Sequence, residues 1–107
     1  MLSQKEIYNS EMEENMFPKK LDNANVLYYT PKDNYGYIYY DNGEIAEHIK
    51  YLAICKYANQ KEGYYLFKCD EDYEVVGDSL WNSIEESMRV ANSSYEGNII
   101  WIDVSTL

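Results

Sequence analysis

The sharpest hydrophobic pattern lies between residues 50 and 78. Residues 50–57 and 63–70 are two apolar, aromatic-rich runs that flank the polar stretch Ala58-Asn59-Gln60-Lys61-Glu62. They predict two antiparallel strands joined by a long hairpin loop. Asp70-Glu71-Asp72 predicts a reversal into a further strand over residues 73–78. Leu52, Ile54 and Leu66 fall on one parity, and Ala53, Cys55 and Phe67 on the other. Side chains alternate between faces along a strand, so both faces of this sheet are expected to be partly covered.

Upstream, residues 26–30 read as a strand and Pro31-Lys32-Asp33-Asn34 as a turn. Residues 35–40 form a second aromatic strand, closed by the turn signal Asp41-Asn42-Gly43. The two-residue period puts Tyr35, Tyr37 and Tyr39 on one face. Residues 44–49 are ambiguous and fit a single helical turn. Residues 1–24 are set apart as an N-terminal arm, with thin apolar points at Leu2, Ile7, Met12 and Met16. Ser3 with Glu6 fits a capping box, so a short helix over 4–15, stopped by Pro18, is an alternative to a loose arm.

Downstream, Ile84, Met88, Ala91 and Tyr95 recur at helical spacing and predict an amphipathic helix over 84–94. Ser83 with Glu86, or Asn82 with Glu85, supplies its cap, and Gly97 its stop. Residues 98–104 are strongly apolar and predict a last strand, interior to the sheet, with Trp101 in the core. Trp81 falls in a connection. The expected fold class is α+β: a mainly antiparallel sheet of about five strands with one amphipathic helix packed on it. Residues 25–107 form its single domain.

Charge changes the picture. The chain carries a formal net charge of −10, with nineteen acidic residues against nine basic ones. That balance repels nucleic acid and attracts basic partners. The chain also has 13 tyrosines. Tyrosine offers large contact area at low entropy cost and is enriched at protein interfaces. Together these features predict a module that binds a basic protein.

Catalytic constellations are not visible. Asp70-Glu71-Asp72 with Glu74 and Asp78 is not an EF-hand, because Val75 stands where glycine is required. Glu11, Glu13 and Glu14 read as a solvated cluster. His48 beside Glu47 has no nucleophile motif to serve, and reads as a surface histidine. Cys55 and Cys69 read as buried free thiols, and one histidine with no paired-cysteine spacing argues against zinc. No cofactor, metal or direct nucleic-acid contact is expected. No apolar run approaches the roughly 18 residues of a membrane span. The start of the chain, Met1-Leu2-Ser3-Gln4-Lys5-Glu6, lacks a signal-peptide pattern, so a cytoplasmic location is expected.

The stretch Tyr64-Tyr65-Leu66-Phe67-Lys68-Cys69-Asp70-Glu71-Asp72-Tyr73-Glu74-Val75-Val76-Gly77-Asp78, followed by Ser83-Ile84-Glu85-Glu86 opening a helix, resembles small acidic bacterial immunity proteins of polymorphic toxin or contact-dependent inhibition systems. The resemblance implies a cytoplasmic inhibitor that neutralises one basic toxin by tight binding, with no reaction of its own. The alternative is a phage-encoded inhibitor of the anti-CRISPR type, acting as an acidic nucleic-acid mimic. In either case Tyr35, Tyr37 and Tyr39 are the expected packing anchors. Asp70, Glu71, Asp72 and Glu74 are the expected electrostatic contacts.

Overall fold

The computed structural model describes residues 17–96 and 98–107. The expected helix over 4–15 and the stop at Gly97 lie outside them. The fold is α+β, as the alternation predicts. Strands are β1 (Lys20–Leu21), β2 (Ala24–Tyr29), β3 (Gly36–Tyr39), β4 (Ile45–Ile49), β5 (Tyr51–Lys56), β6 (Tyr64–Cys69), β7 (Val75–Trp81) and β8 (Ile102–Asp103). The helix α1 spans Ile84–Ser94, and a 3-10 turn covers Val104–Thr106. A six-stranded antiparallel sheet runs β1-β2-β5-β6-β7, with β8 also on β2, while β3 and β4 form a separate hairpin. Among the described residues no helix is long and apolar enough to cross a membrane.

The helix forms where its caps and spacing place it. The Ser83 hydroxyl accepts from the Glu86 N–H at 3.0 Å, satisfying one free donor of the first turn. Ser87 and Ala91 are its fully buried residues. Their small side chains let the helix approach the sheet closely. Ile84, Met88 and Tyr95 pack around that contact, half-buried.

The sheet is covered on both faces, as the two parities require. On the helix side, Leu52, Ile54 and Leu66 pack with Tyr35, Ile49 and Ala91. On the other side, Ala53, Cys55 and Phe67 pack with Phe17, Leu21, Val26, Tyr29, Tyr51 and Cys69. Phe17 is the hub of that second core. Its ring stacks on Tyr29 at 4.2 Å and meets Tyr51 and Tyr73 edge-on at 5.5 and 5.3 Å. Such ring pairs add about 0.5–1.5 kcal/mol each beyond area burial.

Three expectations are corrected first. The arm does not extend to residue 24: Phe17, Leu21 and Ala24 are buried, and β1 pairs with β2 through Leu21↔Ala24. The two-residue turn between them has positive φ at Asp22 (47°) and Asn23 (68°), a conformation that Asp and Asn tolerate better than most residues. Residues 44–49 hold no helical turn, because β4 occupies them. Trp81 ends β7 rather than lying in a connection, and its Nε1 donates to Ser79 Oγ at 2.7 Å.

Residues 98–104 are not an interior strand. Only Ile102–Asp103 pairs, at the margin of β2 beside β1. The run is apolar because it crosses between cores: Ile99 and Trp101 pack on the helix side, Ile102 and Val104 on the other.

Candidate functional site

The β3–β4 hairpin carries the exposed aromatic surface. Its turn is fixed by Asp41-Asn42-Gly43. Asn42 Oδ1 accepts from Glu44 N–H at 2.9 Å, and Gly43 adopts φ +89°, which an L side chain resists. The register sets Tyr37 opposite His48 and Tyr39 opposite Ile45. Tyr37 (41% exposed), Tyr39 (58%), Tyr40 (60%) and Ile45 (47%) all face solvent. Among the described residues, no tyrosine outside this hairpin is exposed. The His48 ring packs edge-on against Tyr37 at 4.9 Å.

Tyr35 departs from the expected face. It is 1% exposed and belongs to the helix-side core, so it is not available as an interface anchor. The cause is Gly36, at φ +141°, which breaks the two-residue alternation just before Tyr37. Tyr35 instead ties the hairpin to the body. Its hydroxyl donates to the Pro31 carbonyl at 2.6 Å, and its N–H donates to the Ile49 carbonyl at 3.0 Å. Its own carbonyl accepts from Glu96 N–H at 2.9 Å, just past α1. Burial pushes its phenol above the ordinary range.

The acidic turn lies beside the hairpin. Asp70 Oδ1 accepts from the N–H groups of Asp72 (2.9 Å) and Glu74 (3.0 Å), so this carboxylate shapes the turn. Tyr73 completes the turn at φ +64°, held there by its stacking on Tyr51 at 4.8 Å. Glu71 and Asp72 point outward. Glu71 Oε1 meets Lys32 Nζ at 3.0 Å. The hydrogen bond from Lys32, then its charge, holds the Glu71 carboxyl below its usual range.

These pieces form one surface. A groove of about 380 Å³ is lined by Glu47, His48, Lys50, Asp70, Glu71 and Asp72. Lys50 also bonds the Asn34 side chain. The structure therefore brings Tyr37, Tyr39, Asp70, Glu71 and Asp72 into one neighbourhood, with His48 as the bridge between the aromatic and acidic parts. Glu74 is exposed but does not line the groove.

Ile45, Glu47 and Lys50 are site residues that sequence reasoning missed, and His48, read there as a surface histidine, was given no place in the site. The signal was present in the hairpin turn, which would pair residues 37 and 48 across it. Among the described residues no group of three or more His, Cys, Asp or Glu side chains converges as a metal site. Set against protein-family models, curated proteins and solved structures, the chain finds no match.

Proposed function

We propose that this protein is a cytoplasmic inhibitor that neutralises a basic toxin by tight binding, in the manner of an immunity protein. It acts by occupying its partner and catalyses nothing. The observation that carries the reading is the continuity of the exposed tyrosine ridge with the acidic groove through His48. Exposed aromatics supply packing area, and the groove carboxylates steer a basic surface toward it. An interface of standard size, on the order of 800 Å² per side, would take in both.

The geometry favours this reading over a nucleic-acid mimic. A mimic needs carboxylates left unengaged for its partner. Here Asp70 gives its carboxylate to two backbone N–H groups and outward-facing Glu71 shares its own with Lys32, so two of the four acids of the turn are already engaged.

The test is capture from the source lysate, with mass spectrometry, using the native protein and a Tyr37→Ala/Tyr39→Ala variant. The native protein is expected to retain a basic protein that the variant loses. Equal capture by both refutes the assignment of the ridge. With the captured partner purified, Asp72→Lys should mainly slow association and flatten its salt dependence. Tyr39→Ala should mainly speed dissociation, by tenfold or more if it is a hot spot of about 2 kcal/mol.

A further inference from the structure

β7 is the open margin of the main sheet. Its inner side pairs with β6 from Tyr64↔Trp81 to Cys69↔Val75, and among the described residues no strand lies beyond it. An edge strand turns alternate backbone N–H and C=O groups outward, a ready template for another chain. Edges are usually blunted by charged residues, lysine above all, and by proline, bulges or short length. β7 has seven residues, Val75-Val76-Gly77-Asp78-Ser79-Leu80-Trp81, with no lysine and no proline; its one charge, Asp78, opposes pairing with an acidic edge but not with a basic one. Its one irregularity lies at its start, opposite Lys68/Cys69.

The side chains on this margin specify what it would accept. Asp78 and Leu80 lie opposite Phe67 and Tyr65, so they share one face, two residues apart. Both are exposed, Leu80 by 54%. An added strand would best carry a cation opposite Asp78 and an apolar residue two positions away, opposite Leu80. A second copy of this chain is a poor occupant. Two β7 strands in full antiparallel overlap set Asp78 directly against Asp78, a destabilising like-charge pair, and join two chains of net charge −10. The hairpin surface is adjacent: a Cβ placed on Gly77 would lie 3.5 Å from Ile38 Cδ1 of β3.

We propose that β7 is a strand-addition site that takes one extended, lysine- or arginine-bearing segment of a basic protein partner. The identity of the partner as a basic protein rests on the function proposed above; the site itself rests on the open edge. Such a segment, about seven residues long, would span roughly 23 Å of edge.

The probe is a synthetic heptapeptide alternating threonine with valine and a central lysine, titrated into the native protein and followed by amide NMR and hydrogen exchange. The outward amides of β7 are expected to gain protection. N-methylating the peptide along one edge should weaken binding about tenfold or more through lost backbone bonds, while methylating the other edge leaves it unchanged. Replacing the central lysine by glutamate should weaken binding, and Asp78→Lys should reverse that preference. No protection at β7, or equal effects of the two methylated peptides, overturns the proposal. A concentration-dependent dimer of the protein alone, with β7 protected, overturns the assigned occupant. Tyr37→Ala/Tyr39→Ala should bind the peptide normally, so failure of the ridge and failure of the edge are separately visible.

Discussion

Tyr35→Ala should cost a large fraction of the fold's stability, and Tyr39→Ala almost none, although the two residues are four apart in one tyrosine-rich run. Tyr35 is 1% exposed, and truncating a fully buried aromatic costs about 3–5 kcal/mol. Its hydroxyl bond to the Pro31 carbonyl, 2.6 Å long, adds about 1 kcal/mol. The sum, about 4–6 kcal/mol, compares with a total stability of about 5–15 kcal/mol for a domain of this size. Tyr39 is 58% exposed, and a surface change of this kind stays within about 0.5 kcal/mol. Urea unfolding followed by tryptophan fluorescence suits the comparison, since Trp81 and Trp101 both pack in the helix-side core that Tyr35 occupies. Tyr35→Phe isolates the hydroxyl and should lose about 1 kcal/mol, or up to about 3 if the carbonyl is left unpaired. Equal midpoints for Tyr35→Ala and Tyr39→Ala would refute the reasoning, because they would mean that Gly36 does not turn Tyr35 inward.

Two further perturbations test the body of the fold. Ala91→Asp should unfold the protein and Met88→Asp should cost about 2 kcal/mol or more, since both put charge against the sheet, while exposed Glu85→Ala should cost under about 1 kcal/mol; urea midpoints rank them. Cys55 and Cys69 are free and buried, and burial pushes both thiols up, Cys69 to about 12. The native protein should therefore resist Ellman's reagent at pH 8 and react fully in urea. In the unfolded chain a thiol ionises near its ordinary ~8.5, so above that pH the unfolded state sheds protons that the folded state keeps. Stability is then full below about pH 8.5 and should fall above it by about 1.4 kcal/mol per pH unit for each of the two thiols, toward their folded values. Cys69→Ala should roughly halve that alkaline slope, Cys55 supplying the remainder; an unchanged slope would remove the Cys69 thiol from the account.

The sequence made the centre of the fold legible because one simple period governs it. The opposite parities of Leu52, Ile54 and Leu66 against Ala53, Cys55 and Phe67 foretell two cores, and the helix bounds follow from Ser83 and the Ile84 spacing. Readings failed where a single backbone angle overrides the period. Gly36 separates Tyr35 from Tyr37, and Asp22-Asn23 folds β1 back through a turn that lacks the usual glycine. The apolar run at 99–104 misled differently, because a segment crossing between two cores is as apolar as a buried strand. Of the site, Tyr37, Tyr39, Glu71 and Asp72 were found as outward residues. Their meeting through His48 was not, since it depends on a hairpin whose second strand carries no clear alternation.

The double coverage of the sheet has a consequence for how the strands find their alignment. A strand buried on one side polices its own pairing, because a slip of one residue turns its apolar set to water. β5 has no such check: Tyr51, Leu52, Ala53, Ile54 and Cys55 are all buried, so a slip exchanges one greasy surface for another. What remains to discriminate is side-chain volume and the rigidity of the connections. Gln60 clamps one end, accepting from Tyr57 N–H and donating to the Glu62 and Gly63 carbonyls. Asp70 clamps the other through its two backbone bonds. These side chains act as alignment pins. Losing one threatens a compact, strand-rich misfold with misplaced partners more than it threatens collapse itself, and the acidic turn is thereby bound to folding fidelity as well as to the surface beside it.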